Sequence, residues 1–279
     1  MLHFTNTLTQ KKEDFAVTNN KKVAMYVCGI TPYDYPHIGH GRCYVTFDLV
    51  YRLLTFLGYD VVYARNFTDI DDKIINRAQK ELQDPNRFNE IANRYIKAFG
   101  RDMKSLNCLQ PKYEPCVTQT IPQIIAFVQG LIQKGAAYEI DGSVYFRVAT
   151  FAPYGQLSKQ NIEQLQAGAR VEVDTCKENS LDFALWKKDD VVGYQSPWGQ
   201  GRPGWHIECS AMAHDIFKGT VDIHGGGMDL MFPHHENEIA QSESLYPAPF
   251  VRFWLHNAFV RINKEKMSKS LGNFFTLHE

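Results

Sequence analysis

The sequence predicts an α/β protein in which a parallel sheet is interrupted by an inserted segment. Three observations support this: an early strand, helix and strand in succession, a hairpin signal near the middle, and a later return of the strand and helix pattern. Parallel strands need crossover connections, whereas a tight hairpin joins antiparallel strands. We therefore expect residues 1–110 to form the first half of a nucleotide-binding fold, 111–200 a connective insertion, 201–262 the second half, and 263–279 a lysine-containing loop with the start of a truncated helical region.

The first half contains the strand, helix and strand. Alternating apolar residues predict a strand that ends at Gly29, and a 3.6-residue apolar period predicts a helix over about residues 39–57, closed by Gly58. A second strand, 61–67, leads to Thr68, which has the spacing of a helix N-cap with an acid three residues later. Ligands bind beyond the carboxyl ends of parallel strands, so these strand ends are candidate binding positions.

The remaining elements follow from turn and helix signals. Asp141-Gly142 is a strong hairpin turn signal, which is the reason for assigning the middle of the chain to an insertion. The other predicted elements are helices over 88–107, 117–134 and 233–246, a glycine-rich loop at 199–204 followed by a helix, and a strand at 221–224 followed by a turn at 225–227.

Composition narrows the class of protein. The 279 residues carry a formal net charge of -1, with 44% hydrophobic and 22% charged residues, as in ordinary globular proteins. There is no global basic excess, so any RNA contact must be local. No apolar run is long enough to span a membrane and no signal segment is visible, so we expect a cytoplasmic protein with reduced thiols.

A metal site is one hypothesis for four residues. His234 and Glu238 are four residues apart in a predicted helix, so both side chains project from one face. Cys28 lies at the end of a strand, and Cys209 lies in a predicted helix. Two thiolates, one imidazole and one carboxylate can hold zinc. The alternatives are a solvated His and Glu pair and two buried cysteines that act as small hydrophobic residues.

Two short motifs suggest phosphate binding. His37-Ile-Gly-His40 lies between a strand and a helix, where amide groups and the positive end of the helix dipole can hold phosphate oxygens. Lys266-Met-Ser-Lys-Ser270 has the composition of a flexible basic loop. Taken singly, the first motif is typical of capping or surface histidines and the second of a solvated loop.

Together the two motifs, in this order, resemble the signature of class I aminoacyl-tRNA synthetases. Within that class the chain resembles the cysteinyl-tRNA synthetases from its first strand to its last residue. The resemblance is carried by four stretches: Met25–Thr31, Asn66–Lys73, Arg202–Met212 and Asp222–Glu238.

The resemblance implies a site and a reaction. The zinc ligands, for one ion per chain, would be Cys28, Cys209, His234 and Glu238. The ATP pocket would comprise His37, Gly39, His40, Gly227, Asp229 and Lys269. The cysteine substrate would meet Gly29, Thr68 and Trp205. Cysteine would attack magnesium-bound ATP to give cysteinyl-adenylate, with His37, His40, Lys266 and Lys269 as catalytic residues, and tRNA(Cys) would then accept the cysteine.

Other roles remain open at this point. His206 and His224 could line the floor of the site, and for these two residues and Trp205 a packing role is equally compatible with the sequence. One rival function is a ligase that passes activated cysteine to a small amine, and another is a noncatalytic zinc-binding module. Members of the family continue into a helical domain that reads the anticodon, so we expect this chain to be a fragment of a longer protein.

Overall fold

A computed structural model describes residues 2–17, 21–160, 177–262, 265–267 and 274–278. Its helices are α1 (Ile38–Phe56), α2 (Asp72–Leu82), α3 (Phe88–Ser105), α4 (Ile121–Gln133), α5 (Trp205–Phe217) and α6 (Glu236–Leu245). Its strands are β1 (His3–Asn6), β2 (Lys11–Asp14), β3 (Lys22–Ile30), β4 (Asp60–Phe67), β5 (Ala137–Ile140), β6 (Ser143–Phe146), β7 (Phe183–Lys188), β8 (Tyr194–Ser196), β9 (Gly199–Pro203), β10 (Val221–Gly227), β11 (Val251–Asn257), β12 (Arg261–Ile262) and β13 (Glu265–Lys266).

The chain forms two compact units. The first unit comprises Met1–Cys116, Val221–Leu230 and Arg252–Glu279. The second unit comprises Val117–Thr220 and Met231–Val251. The predicted four-part division of the chain stays a prediction.

The first unit is built on a four-stranded sheet in the order β11, β10, β3, β4. β3 pairs in parallel with β10 and with β4, and α1 is the crossover helix that connects β3 to β4. Met25 on the central strand is opposite Ile223 on one side and Tyr63 on the other. All three side chains are buried, as expected of a covered face of a parallel sheet. The predicted parallel sheet is therefore confirmed.

Glycines in this unit permit a close approach between elements. A Cβ atom on Gly29 would lie 1.4 Å from the carbonyl oxygen of Asn66 on the neighbouring strand. A Cβ atom on Gly225 would lie 2.1 Å from Cε1 of Phe47, a buried residue of α1. The turn predicted at 225–227 is wrong, because these glycines continue β10. Glycine occurs here so that the helix can pack directly on the strand.

The described part of the second unit contains a five-stranded antiparallel sheet in the order β5, β6, β7, β9, β8, together with three helices. The predicted hairpin is confirmed: β5 and β6 are joined by Asp141 and Gly142, whose φ angles are 50° and 85°. Positive φ at both positions is the geometry of a type I′ turn. The loop predicted at 199–204 is wrong, because 199–203 form β9 and pair with β7 and β8.

The observed helix boundaries agree with some of the predicted capping signals and contradict others. α1 closes as predicted, with Gly58 at a φ of 80°. Thr68 is not an N-cap: Asp71 caps α2 by accepting a hydrogen bond from the amide of Lys73 at 2.8 Å. α4 begins at Ile121, after a short 3₁₀ turn, rather than at Val117. Within the described ranges, no helix is both long and apolar enough to cross a membrane.

We predict that Gly225→Ala destabilises the protein by about 1–3 kcal/mol, because the added methyl group overlaps the ring of Phe47. Urea unfolding would measure the change. Phe47→Leu should partly rescue the variant, so that the double substitution costs less than the two single substitutions added together. If the stability changes of the two substitutions were strictly additive, contact with the ring of Phe47 would not be the reason for glycine at position 225.

Candidate active site

Five consecutive polar residues, His234 to Glu238, are buried at the start of α6 in the second unit. Buried polar side chains must find partners, because an unpaired polar group loses its hydration without compensation. A run of this kind is uncommon where a helix only packs, and it marks this segment as a candidate site.

Three potential metal ligands meet here. Ligand atoms of Cys209 on α5, His234 and Glu238 lie within 4.8 Å of one another, and all three residues are buried. Nε2 of His234 is 3.1 Å from Oε1 of Glu238. Two ligands bound at about 2.1 Å in a tetrahedron are about 3.4 Å apart, so this separation suits a shared zinc ion. His235 is also close, with Nε2 at 3.9 Å from the same carboxylate oxygen.

The electrostatics of the cluster favour a charged His234. Burial opposes the charge, but the Glu238 carboxylate and the Cys209 thiol raise the pKa of His234 to about 10. Its other ring nitrogen, Nδ1, lies 3.0 Å from Nδ1 of His206. Burial, together with the charge of His234, lowers the pKa of His206 well below its ordinary value, so His206 is neutral. A second histidine on the far nitrogen of a ligand fixes its ring orientation.

Polar contacts between α5 and α6 set the spacing of the ligands. Nε2 of Gln241 on α6 donates to the carbonyl of His206 at 2.9 Å and to Oγ of Ser210 at 2.8 Å. Oγ of Ser210 donates in turn to the carbonyl of Glu238 at 3.4 Å. These hydrogen bonds connect the turn that carries Cys209 to the turn that carries Glu238.

Glu236 secures the other side of α6. Its carboxylate accepts hydrogen bonds from the amides of Gly155 (2.9 Å), Leu157 (3.1 Å) and Ser158 (2.8 Å), and from the hydroxyl of Ser158 (2.9 Å). The neighbouring Asn237 accepts from the hydroxyl of Tyr154 in the same loop. In the described part of the chain the fully buried Glu236 has no cationic partner, so these amide groups and the Ser158 hydroxyl compensate its charge.

Trp205 is the first residue of α5 and stacks on His234. The ring centroids are 4.2 Å apart and the planes are inclined by 27°. About 40% of the Trp205 residue surface remains exposed. The indole therefore shields a potential ligand and still presents an accessible surface, which is compatible with both roles considered from the sequence.

In the first unit, Cys28 lies near the end of β3 beside an irregularity in the strand pairing. Side chains hold this stretch: the hydroxyl of Tyr44 donates to the carbonyl of Cys28 at 3.1 Å, and the amide of Gly29 donates to Oδ1 of Asn66 at 2.8 Å. Ligand atoms of Cys28 and His224 lie within 4.8 Å of each other. The ring of His224 is stacked on Trp254 at 4.6 Å, so packing also holds it.

The histidine motif caps α1. His37 is the N-cap residue: its Nδ1 accepts from the amide of His40 at 3.4 Å, and Nδ1 of His40 accepts from the amide of His37 at 3.1 Å. The two rings are stacked, with centroids 3.8 Å apart. A neutral imidazole whose Nδ1 accepts a hydrogen bond carries its proton on Nε2. The two rings can therefore donate to an anion at the positive end of the helix.

Met267 of the lysine motif lies beside the histidine motif. A Cβ atom on Gly39 would lie 2.9 Å from ring atoms of His37 and 3.5 Å from Cε of Met267, the buried methionine of the lysine motif. Lys266 lies in β13, and Lys269 lies outside the described residues. The structure thus brings Met267, far from the histidine motif in sequence, to the start of α1.

Two further predicted residues lie at strand ends of the first unit. The exposed Asp229 follows β10, and a Cβ atom on Gly227 would lie 2.5 Å from its Oδ1. Thr68 is buried directly after β4, and its amide donates to the carbonyl of Ile30 at 3.0 Å. Both residues lie just after a strand of the sheet, and their binding roles stay predictions.

Sequence reasoning missed the supporting residues Asn66, Glu236 and Gln241. The signal for Glu236 was present, because it lies inside the polar run that starts α6. For Gln241 and Asn66 no local pattern distinguishes a buried hydrogen-bonding side chain from a solvated one, since their partners are 31 and 37 residues away in sequence.

The fold is that of class I aminoacyl-tRNA synthetases. The solved structure of Mycobacterium tuberculosis methionyl-tRNA synthetase in complex with methionyl-adenylate superposes with a TM-score of 0.68 at 17% sequence identity. The match covers 91% of this chain and 60% of that chain.

The family follows from the sequence comparison. The model of the tRNA synthetases class I (C) catalytic domain matches residues 14–279, and the chain belongs to this family. Two relatives, cysteine–tRNA ligases from Geobacter sp. (strain M21) and Geotalea uraniireducens (strain Rf4), are 57% and 58% identical over 100% of this chain. The chain covers 58% and 56% of those relatives, little more than half their length.

We predict that Glu236→Gln destabilises the second unit by about 2 kcal/mol or more, because an amide group turns donors toward the donors of 155–158. Urea unfolding would measure the loss. As a matched control, the exposed Glu139→Gln should change stability by less than about 0.5 kcal/mol. Equal effects of the two substitutions would show that the amide contacts of Glu236 do not contribute to the free energy of unfolding.

Proposed function

We propose that this chain activates cysteine with ATP to form cysteinyl-adenylate and transfers the cysteine to tRNA(Cys), as a cytoplasmic cysteine–tRNA ligase of class I. The observation that carries the proposal is the buried cluster of Cys209, His234 and Glu238 in a chain of this family. The names of the 57% and 58% identical relatives support the same activity.

The donor set of the cluster suits one zinc ion. We propose Cys28 as the fourth ligand, because a second thiolate together with an imidazole and a carboxylate makes a set that zinc prefers. When bound, zinc would supply a soft Lewis acid that favours the thiolate of cysteine over the hydroxyl of serine. A pocket that measured size alone would separate these substrates poorly, since small differences are worth roughly 1–3 kcal/mol.

The protein's part in adenylate formation is to position substrates and balance charge. His37 and His40, each with Nδ1 engaged by a backbone amide, would donate from Nε2 to phosphate oxygens of ATP, which we expect to arrive with Mg²⁺. Gly39 leaves space beside them. Asp229, which follows β10 after Gly227, would bind the ribose hydroxyls.

The lysine motif would act on the leaving group. Met267 lies beside Gly39, which supports the proposal that Lys266 and Lys269 approach the phosphates and stabilise the departing pyrophosphate. On the cysteine side, Trp205 would form a wall of the pocket, and Gly29 and Thr68 would lie along its floor at the strand ends.

Cysteine-dependent exchange of pyrophosphate into ATP tests the proposed function. Exchange should occur with cysteine and not with serine, and it requires no tRNA. Transfer is then measured with labelled cysteine and a tRNA(Cys) transcript. Absence of exchange from a folded, zinc-loaded chain would refute the proposed activation.

We predict that His234→Ala loses zinc whereas His235→Ala keeps one ion per chain. Nε2 of His234 is 3.1 Å from Glu238, and that of His235 is 3.9 Å away. Metal analysis of the purified variants checks this. If only the His235 variant lost zinc, the ligand would be His235 and the prediction would be wrong.

We predict that Lys269→Ala slows exchange by about 100-fold or more, since one positioned charge on a developing anion is worth 10²–10³ in rate. Zinc content should not change, because the lysine would meet phosphate rather than metal. Lys134→Ala, an exposed lysine after α4, serves as the control. Normal exchange in the Lys269 variant would remove this lysine from the mechanism.

A further inference from the structure

The exposed face of α3 carries a run of basic side chains. Arg94, Lys97, Arg101 and Lys104 recur at intervals of three and four residues, which puts them along one side of the helix. All four are exposed. The opposite side, which includes the buried Ile91, Tyr95 and Phe99, packs on the core. We call the exposed side the α3 basic face.

Among the described residues, an acidic partner neutralises Arg94 at the start of this face but not the other three basic residues. Between Arg94 and the end of α3 the one acidic residue is Asp102, which is buried. Arg94 pairs with Glu81 of α2, while Lys97, Arg101 and Lys104 have no ion pair with any residue in the described part of the chain. In a chain of net charge -1, this is a local positive surface.

Gly100 lies within the same face and has no packing reason to be glycine. A Cβ atom built there would meet no atom within 4 Å, so alanine would fit. Glycine in a helix interior destabilises the helix relative to alanine. The helix dipole favours Lys104 in the last turn, but it explains neither Lys97 nor this glycine.

We propose that the α3 basic face binds the phosphate backbone of RNA, with Gly100 providing the point where the backbone comes closest to the helix. Lys97 and Lys104 are separated by about 10 Å along the axis, so the face is long enough to contact more than one phosphate of a strand. Contacts from lysine and arginine to phosphates position RNA without reading its sequence. The proposal rests on the proposed function, which gives tRNA as the RNA.

Gly100→Ala is the most informative test, because it should raise the thermal stability of the protein and lower its affinity for RNA. The melting temperature should rise by about 2 °C. The affinity for a tRNA(Cys) transcript, measured by filter binding, should fall at least about threefold because the methyl group displaces the backbone. Unchanged or tighter RNA binding by this variant would overturn the role given to Gly100.

The charge component is tested by the double variant Lys97→Ala/Arg101→Ala. Titrations between about 50 and 200 mM salt should show the slope of log affinity against log salt reduced by about 1.5, the loss expected for two phosphate contacts. Lys134→Ala, just after α4, should leave the slope unchanged. An unchanged slope in the double variant, or a parent chain without affinity for the transcript at low salt, would overturn the proposal.

Cysteine-dependent pyrophosphate exchange separates the two proposals, because it needs no RNA. All α3 variants should exchange at the parent rate. A parent chain that binds RNA but performs no exchange would refute the proposed function and leave the α3 basic face standing. Normal exchange with unaltered RNA binding in every variant would refute the α3 basic face alone.

Discussion

The burial of five polar residues at the start of α6 is the constraint on which the second unit depends. Two carboxylates and two imidazoles without solvent would each cost several kcal/mol if left unpaired. Each finds partners in a different direction. Glu236 takes the amides of the loop 155–158, and His234 takes Glu238 on one ring nitrogen and His206 on the other. The helix therefore has one orientation in which all these groups are satisfied.

The same contacts stabilise the second unit and position its candidate metal ligands. The contacts that fix the rotation of α6 also fix the spacing between Cys209 on α5 and the His234 and Glu238 pair. A metal site needs ligands held near their final geometry, because each freely moving side chain weakens binding. Gln241 and Ser210 supply that rigidity through hydrogen bonds, although neither is a candidate ligand.

In the first unit the main feature is the close approach of backbone groups at the ends of parallel strands. Gly29 lets β3 approach β4, Gly225 lets α1 approach β10, and Gly39 leaves room between His37 and Met267. At the start of α1 the two histidines satisfy each other's backbone amides, so both rings are held with a defined donor nitrogen. Backbone closeness and helix polarity together make this a place for anions.

Local sequence patterns were enough to predict several of the strands and helices. The α1 period with Gly58 at its end, the Asp141-Gly142 hairpin and the spacing of His234 and Glu238 were all readable, because neighbouring residues alone decide them. Tertiary structure decided the rest. Gly225 and Gly201 belong to segments predicted as turn and loop but lie in strands, since a glycine needed for close packing looks the same in sequence as one needed for a turn. The partners of Glu236, some 80 residues away, depend on how distant segments pack, which no local pattern encodes.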